Sequence, residues 1–102
     1  MADLPLVFHP EARIDALEAH DWYFQRSPYA ADAFRCELRE AGLAIQRSPD
    51  RWAEYASGTR RYLMKRFPFV VVYRIFGEQI QVVAVAHGRQ KPGYWKARIA
   101  SS

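Results

Sequence analysis

The sequence predicts an α+β fold: an antiparallel β-sheet with an N-terminal α-helical hairpin packed on one face, in the order β-α-α-β-β-β. In the first half, apolar residues recur at helical spacing in two segments that Ser27-Pro28 separates. In the second half, β-branched and aromatic residues fill three runs, and Gly77-Glu78 stands between the last two as a tight turn would. Helices that precede a run of strands are typical of an α+β architecture.

The N-terminal segment predicts one short strand and the first helix. Leu4–Phe8 is apolar but contains Pro5, and because proline has no amide hydrogen to donate, the run is predicted to be an edge strand. Pro10 suits the first position of a helix, and Glu11 suits the positive end of its dipole. The stripe along the apolar side of this helix is predicted to consist of Ile14, Leu17, Asp21, Trp22 and Phe24.

The second helix is predicted to follow Ser27-Pro28 and to end before Ser48-Pro49. Its apolar residues recur every three or four positions, at Ala30, Phe34, Leu38, Ala41 and Ile45. Cys36 lies among helix-forming residues and is predicted to be a small buried side chain. Because the connection between the two helices is short, they are expected to form an antiparallel hairpin.

Three strands are predicted in "TRRYLMKRF", "FVVVYRIF" and "QIQVVAVAHG". The middle strand is apolar at nearly every position, so both of its faces are expected to be covered, at least at one end. Alternation places Tyr73 in the core and Arg74 on the other face, near the second helix or a partner.

Length and composition restrict the class of protein. A chain of 102 residues is expected to form one domain, residues 1–102. Its apolar runs are far too short to span a bilayer, and the N-terminus has no basic segment ahead of an apolar one, so neither a membrane segment nor a signal peptide is expected. A single cysteine fits the cytoplasm. One cysteine and scattered histidines match no zinc pattern, so no metal or other cofactor is expected.

Charge is distributed unequally along the chain. Residues 1–50 carry five arginines against nine acidic residues, a net charge of −4, whereas residues 51–102 carry ten lysines and arginines against two acidic residues, a net charge of +8. This asymmetry indicates a face that binds an anionic partner, either nucleic acid or an acidic protein segment, although a solvated basic surface is the alternative.

The C-terminal segment "VAVAHGRQKPGYWKAR" concentrates groups that could act on an anion. His87 could serve as a general acid or base beside Arg89 and Lys91, or it could fix the end of a strand through a local hydrogen bond. Trp95 is expected to pack the tail against the sheet, while Tyr94 could stack on a base or contact a protein partner.

Two long strings give the sequence a resemblance to a known superfamily. "HPEARIDALEAHDWY" and, more specifically, "RRYLMKRFPFVVVYRIFGEQIQVVAVAHGRQKPGYW" resemble the RelE/ParE superfamily, the toxins of bacterial type II toxin–antitoxin systems. The resemblance covers most of the chain. It implies a small basic cytoplasmic protein, with plasmid stabilisation as the role of the system and an acidic antitoxin as its partner. RelE-like members cut messenger RNA on the ribosome, and ParE-like members inhibit DNA gyrase.

The resemblance favours the ParE-like branch. The arginine that RelE-like nucleases share near the start of the penultimate strand falls at Val70, and valine supplies no positive charge to a phosphorane. If the chain is nevertheless a metal-independent mRNA endoribonuclease, the resemblance assigns catalysis to His87, Arg89 and Tyr94. An inactive module that only binds its antitoxin is a further alternative.

The basic residues are assigned to two binding roles. Arg61 and Lys65 share a parity along their strand and, as guanidinium and ammonium groups, suit phosphate or carboxylate. Residues predicted to bind the target are Arg61, Lys65, Arg89, Lys91 and Arg98. Residues predicted to bind the antitoxin are Arg61, Arg74 and Arg89.

Overall fold

Two long helices precede most of a five-stranded sheet. In the computed structural model, residues 4–91 and 93–100 are described. The strands are β1 (Leu6–Phe8), β2 (Ala53–Glu54), β3 (Arg60–Leu63), β4 (Phe69–Phe76) and β5 (Gln79–His87). The helices are α1 (Pro10–Phe24), α2 (Pro28–Arg47) and α3 (Lys96–Ala100), and a single 3₁₀ turn spans Ala56–Gly58. The predicted α+β fold with its helical hairpin is confirmed.

The sheet has the strand order β1-β5-β4-β3-β2. The pairs β2–β3, β3–β4 and β4–β5 are antiparallel, whereas β1 runs parallel to β5, so the sheet is mixed. The predicted edge position of the first strand is confirmed. The other edge, β2, lies between the second helix and "TRRYLMKRF", and it is an additional strand that the predicted order β-α-α-β-β-β does not contain.

Both long helices begin as the sequence predicts. His9 Nδ1 accepts a hydrogen bond of 3.0 Å from the Glu11 amide, and Ser27 Oγ accepts one of 3.3 Å from the Ala30 amide. A proline follows each of these residues at the first helical position, where its missing amide hydrogen costs nothing. These caps satisfy amides that have no partner inside the helix.

The buried side of α2 agrees with the prediction, but that of α1 does not. Phe34, Ala41 and Ile45 of α2 are buried. In α1 the predicted apolar residues stay about half exposed: Ile14 48 %, Leu17 57 %, Trp22 52 % and Phe24 55 %. The residues that α1 packs inward are Ala12, Ala16, Ala19 and Tyr23. Apart from Tyr23, the side chains that α1 buries are small, and its other large apolar side chains stay about half exposed.

Cys36 is also exposed, contrary to the prediction, because it lies on the outward side of α2. Of the described helices, none combines the length and the apolar character that crossing a membrane needs.

The core has one part on each face of the sheet. Beneath the helices, Phe34 packs against Phe67 and Phe69, and the buried Tyr73 donates a hydrogen bond of 2.6 Å to the Pro49 carbonyl. On the outer face, Trp95 is 1 % exposed and stacks on Tyr55 with ring centroids 5.3 Å apart. The predictions for Tyr73, Trp95 and the doubly covered end of β4 are confirmed.

A register shift between Val72 and Tyr73 changes which residues of β5 face the helices. Val72 pairs with Ala84 and Tyr73 with Val82, so Val83 has no partner in the register. As a result, Val82 and Val85 both pack under the helices, while Val83 and Ala84 pack against Trp95.

Candidate functional site

The Asp15 carboxylate joins α1, β5 and the C-terminal segment. Its Oδ2 accepts hydrogen bonds from the Val85 amide (3.1 Å), the Tyr94 hydroxyl (3.1 Å) and Arg98 Nη1 (2.7 Å). Its Oδ1 accepts a bond of 3.1 Å from Arg98 Nη2, which makes the pair bidentate. Arg98 Nη1 also donates to the Val83 carbonyl at 2.9 Å. The tail of the chain is thereby tied to the first helix.

This cluster fixes the ionisation of Tyr94 and Arg98. Burial, reinforced by the negative charge of Asp15, raises the pKa of Tyr94 to about 12. Burial opposes the charge of Arg98, but the Asp15 carboxylate outweighs it and raises the Arg98 pKa above its ordinary value. At neutral pH the Tyr94 hydroxyl is therefore a hydrogen-bond donor, and Arg98 is a cation inside an ion pair. Its side chain is 14 % exposed, so Arg98 is not part of an open basic surface.

His87 ends β5 and lines a cavity of about 460 Å³ between α1 and the sheet, together with Glu18, Trp22 and Gln90. Its Nδ1 accepts a hydrogen bond of 3.0 Å from the Arg89 amide, and its ring meets the Phe69 ring edge-on at 5.1 Å. Since Nδ1 is an acceptor, a neutral His87 carries its proton on Nε2. Within residues 4–91 and 93–100, no hydrogen bond joins His87 to Tyr94.

Arg89 and Lys91 extend from the turn that follows β5, and both are exposed. The Gln90 side chain accepts a hydrogen bond of 2.7 Å from the His87 amide, and the Gln90 amide donates one of 2.9 Å to the His87 carbonyl. Gly88 donates to the Pro68 carbonyl at 2.7 Å. These bonds hold the turn, so two of the predicted target-binding cations are presented together on an ordered segment.

Arg61 and Arg74 lie on the sheet face opposite the helices, on adjacent strands. The Arg61 guanidinium sits 4.9 Å from the Tyr55 ring centroid. The Arg74 guanidinium sits 4.2 Å from the Phe76 ring, and its Nε donates to Gln81 at 2.9 Å. The prediction that Arg74 is on the outer face is confirmed, but the strand lies between it and α2.

Val70, where the resemblance to nucleases would require an arginine, belongs to an apolar cluster. It packs with Val72 and Trp95 on the outer face and pairs with Ala86 of β5. A hydrophobic side chain in that cluster has no means of stabilising an anionic transition state.

Glu37 is a buried carboxylate of α2 that anchors the loop after β3. It accepts hydrogen bonds from the amides of Lys65 and Arg66 and one of 3.1 Å from Arg66 Nε. Burial alone would raise its pKa, but the Arg66 and Lys65 amides and the Arg66 guanidinium outweigh burial, so the pKa of Glu37 lies below its ordinary value. The Lys65 side chain remains exposed beside the second helix.

An apolar groove with arginine walls runs between the helical hairpin and β1; it is called the β1 groove below. Two adjoining cavities, of about 330 and 360 Å³, share Phe8, Arg35 and Leu38. Arg13 and Arg39 also line it, and none of the described residues lining either cavity is a carboxylate.

Close packing of α2 against β1 shapes this groove. A Cβ atom at Gly42 would lie 3.0 Å from Leu6 Cδ2, so glycine lets the helix approach the strand. Arg35 is bonded to Asp32 at 2.7 Å, whereas Arg13 and Arg39 have no ion pair among the described residues. The groove therefore combines an apolar floor with unneutralised positive charge.

Comparison with known proteins identifies the family. Residues 6–92 match the family model for the ParE toxin of the type II toxin–antitoxin system, parDE. The chain belongs to the ParE toxin family. A solved structure described as the chromosomal ParDE TA system from P. aeruginosa has a similar fold, with a TM-score of 0.72, 21 % sequence identity, and coverage of 82 % of this chain and 95 % of that chain. No curated protein matches the sequence.

Sequence reasoning overlooked three parts of the site: Asp15, Glu37 and the arginines of the β1 groove. Asp15 contacts a residue 83 positions away, and no local pattern signals such a contact. Glu37 had a signal, since it lies within the apolar stripe of α2, three positions after Phe34. In the sequence, the outward arginines of a helix cannot be distinguished from an ordinary solvated surface, because the groove that they line forms only when the neighbouring strand packs beside the helix.

Proposed function

We propose that this ParE family toxin arrests growth by binding DNA gyrase in the cytoplasm, without a hydrolytic step, and that a cognate acidic antitoxin neutralises it. The observation that carries the mechanism is the Tyr94 hydroxyl, which donates to Asp15 and whose pKa is about 12. A group with this pKa is a poor general base at neutral pH. Val70 and the occupied Nδ1 of His87 support the same conclusion.

Arg89 and Lys91 are the proposed target-binding residues. They stand exposed on the turn after β5, and the hydrogen bonds of that turn hold its backbone. Cations at the surface favour encounter with an anionic partner surface. Arg61 and Lys65, which the sequence predicted on one face of a strand, lie apart: Arg61 is on the outer face of β3, and Lys65 is in the loop after β3 beside α2. Each is proposed to add positive charge for target binding, and Arg98 contributes by holding the tail to Asp15.

The β1 groove is the proposed antitoxin-binding surface. An acidic segment with apolar side chains would fill the floor formed by Phe8 and Leu38 and place its carboxylates against Arg13 and Arg39. The contacts predicted for Arg61, Arg74 and Arg89 remain proposals for a second part of the same interface.

A pair of charge-reversal variants tests this division of roles. Arg89→Glu/Lys91→Glu is expected to lose toxicity on induction but still to bind the antitoxin through the β1 groove, with a weakening no larger than the loss of the proposed Arg89 contact. Arg13→Glu/Arg39→Glu, which changes the net charge equally, is expected to stay toxic and to escape neutralisation. Growth curves with and without the antitoxin measure both. Loss of toxicity in both variants would contradict the assignment, because charge itself and not its position would then matter.

His87→Gln tests the absence of proton transfer. The substitution removes the titratable ring and keeps a polar side chain, so toxicity is expected to remain. A nuclease would lose about 10²–10⁴ in rate on losing a general acid or base. If His87→Gln or Tyr94→Phe abolishes toxicity while the fold survives, the ribosome-dependent endoribonuclease replaces gyrase inhibition as the mechanism.

A further inference from the structure

A polar cleft separates the C-terminal half of α2 from β3 and the loop after it; it is called the α2–β3 cleft below. Two cavities, of about 500 and 280 Å³, adjoin there and share Ala44, Arg47, Tyr62 and Lys65. The cleft and the β1 groove lie on different sides of α2, and Leu43 lines both. Four cations line it: Arg47, Arg51, Lys65 and Arg66.

Positive charge in the cleft is only partly neutralised. Arg66 is paired with Glu37, with Nε and Oε1 3.1 Å apart. Arg47, Arg51 and Lys65 form no ion pair within residues 4–91 and 93–100. Besides Glu37, the only acidic residue among the described lining residues is Glu40. Cations that converge on a concave space raise the local concentration of anions.

Three separate segments bring these cations together. Arg47 is the last residue of α2, Arg51 lies in the connector before β2, and Lys65 lies in the loop after β3. The buried Glu37 fixes the last segment by accepting hydrogen bonds from the Lys65 and Arg66 amides. A rigid backbone at that point positions Lys65 beside the cleft.

An aromatic wall holds Arg51. Its guanidinium sits 4.9 Å from the centroid of the Trp52 ring, and that ring meets the Tyr62 ring edge-on at 4.7 Å. Trp52 Nε1 also donates to the Ala44 carbonyl at 3.5 Å. A guanidinium stacked on an aromatic face is preorganised and loses less freedom when it binds an anion.

A purely structural role accounts for only one of the three cations. Arg47 in the last turn of α2 stabilises the negative end of the helix dipole. Neither Arg51 nor Lys65 belongs to that helix, and both are exposed and converge on the same cleft as Arg47.

We propose that the α2–β3 cleft binds phosphate groups, with Arg47, Arg51 and Lys65 supplying the positive charge. Three cations around one concave volume suit a phosphate group, which carries up to two negative charges on three acceptor oxygens, better than a carboxylate, which carries one. Arg47 and Lys65 line the cavity of about 500 Å³, which is in the size range of ligand sites, and Arg51 joins them at the adjoining cavity of about 280 Å³. The phosphate comes either from a nucleic-acid backbone or from a free nucleotide. The proposal goes beyond gyrase inhibition and does not depend on it.

Binding by the purified full chain tests the cleft. The first probe is a fluorescein-labelled 20-base-pair duplex, whose binding is measured by fluorescence anisotropy between 50 and 200 mM salt. The second and third probes are ADP and pyrophosphate, whose binding is measured by calorimetry. A polyglutamate peptide is the fourth probe. The variants Arg47→Gln and Lys65→Gln each remove one cleft cation. Arg13→Gln and Arg39→Gln remove the same charge from the β1 groove and are the matched controls.

Each cleft variant is expected to weaken phosphate binding about tenfold, as the loss of one charge-assisted hydrogen bond does. For the duplex, each is also expected to reduce the salt slope by about 0.9. The controls should change affinity less than about twofold, which is typical of non-contacting surface charges. Competition of ADP or pyrophosphate with the duplex identifies a nucleotide site; duplex binding without such competition identifies the nucleic-acid backbone.

Three results would overturn the proposal. The first is that no phosphate probe binds at 50 mM salt. The second is an equal loss of affinity in cleft and control variants, which would mean that net charge alone is responsible. The third is a cleft-dependent affinity for polyglutamate that matches the affinity for phosphate, since the cleft would then be a site for acidic peptides. Growth arrest does not enter this test, so its outcome is independent of the toxin mechanism.

Discussion

Replacing Asp15 with asparagine should loosen the C-terminal segment from α1. The substitution keeps the size of the side chain and one acceptor oxygen, but it removes the negative charge that neutralises Arg98 and that adds to burial in raising the pKa of Tyr94. The Val85 amide, the Tyr94 hydroxyl and Arg98 Nη1 already share Oδ2, so a carbonyl oxygen at that place leaves the new amide NH₂ facing Arg98 Nη2, where Oδ1 accepted a hydrogen bond.

The expected loss of stability follows from burial of the pair. Removing one partner of a buried ion pair costs about 3–5 kcal/mol because the other charge is left uncompensated. The Asp15 and Arg98 side chains are 13 % and 14 % exposed, so some solvation remains. With one acceptor retained, we expect Asp15→Asn to lower the free energy of unfolding by about 2–3 kcal/mol. This is a large part of the stability of a small domain, about 5–15 kcal/mol.

Urea unfolding at pH 7 measures this difference, and a midpoint lower by about 1–2 M is expected. Asp32→Asn is the matched control, since Asp32 and Arg35 are also 2.7 Å apart but both side chains are 64 % exposed. An exposed pair contributes about 0–1 kcal/mol. A change below about 0.5 kcal/mol in Asp15→Asn, or an equal change in Asp32→Asn, would refute the conclusion that Asp15 anchors the tail.

Three further predictions concern stability and use the same unfolding assay. The pKa of Glu37 lies below its ordinary value of 4.5, so the Glu37 carboxylate contributes to the free energy of unfolding above that pH, and the contribution disappears as the pH falls through the lower folded value. The difference in stability between the native protein and Glu37→Gln should therefore be constant from pH 7 to 5 and should close below 4.5. A difference that widens in acid would be inconsistent with this. Tyr73→Phe should cost about 1 kcal/mol, because the buried hydroxyl donates to the Pro49 carbonyl, and an unchanged midpoint would exclude that bond. Gly42→Val should lower the free energy of unfolding by about 1–3 kcal/mol, because the added side chain would clash with Leu6. An unchanged free energy of unfolding would show that β1 can shift to accommodate it.

The elements with a strong pattern were predictable because pattern and packing agree in them. In α2 the spacing from Phe34 through Ala41 to Ile45 matches the buried side. The β4–β5 hairpin followed from β-branched runs around Gly77, which adopts a φ of 64° that favours glycine.

The incorrect predictions of buried residues concern a helix in which the largest apolar side chains are not the ones that pack against the sheet. In α1, hydrophobic character pointed to Trp22 and Phe24, but close packing against the sheet selects Ala12 and Ala19 instead. A three-residue strand such as β1 carries too little pattern to reveal that it runs parallel to β5.

The candidate site was predictable in its composition but not in its geometry. The exposure of Arg89 and Lys91 follows from a turn at the end of the last long strand, whereas Arg98 was grouped with them and proved to be paired with Asp15. That pair, like the β1 groove, depends on segments distant in sequence, so only the folded chain brings its members together.

Gyrase activity in the presence of the purified chain tests the central claim most directly. Relaxed plasmid, gyrase, ATP and the toxin are combined, and supercoiling is followed with increasing toxin. The account predicts that supercoiling is inhibited, that the cognate antitoxin restores it, and that His87→Gln inhibits as well as the native chain whereas Arg89→Glu/Lys91→Glu does not. Full supercoiling at an excess of toxin that still arrests growth, with ribosome-bound messenger cut by the native chain and not by Tyr94→Phe, would contradict it.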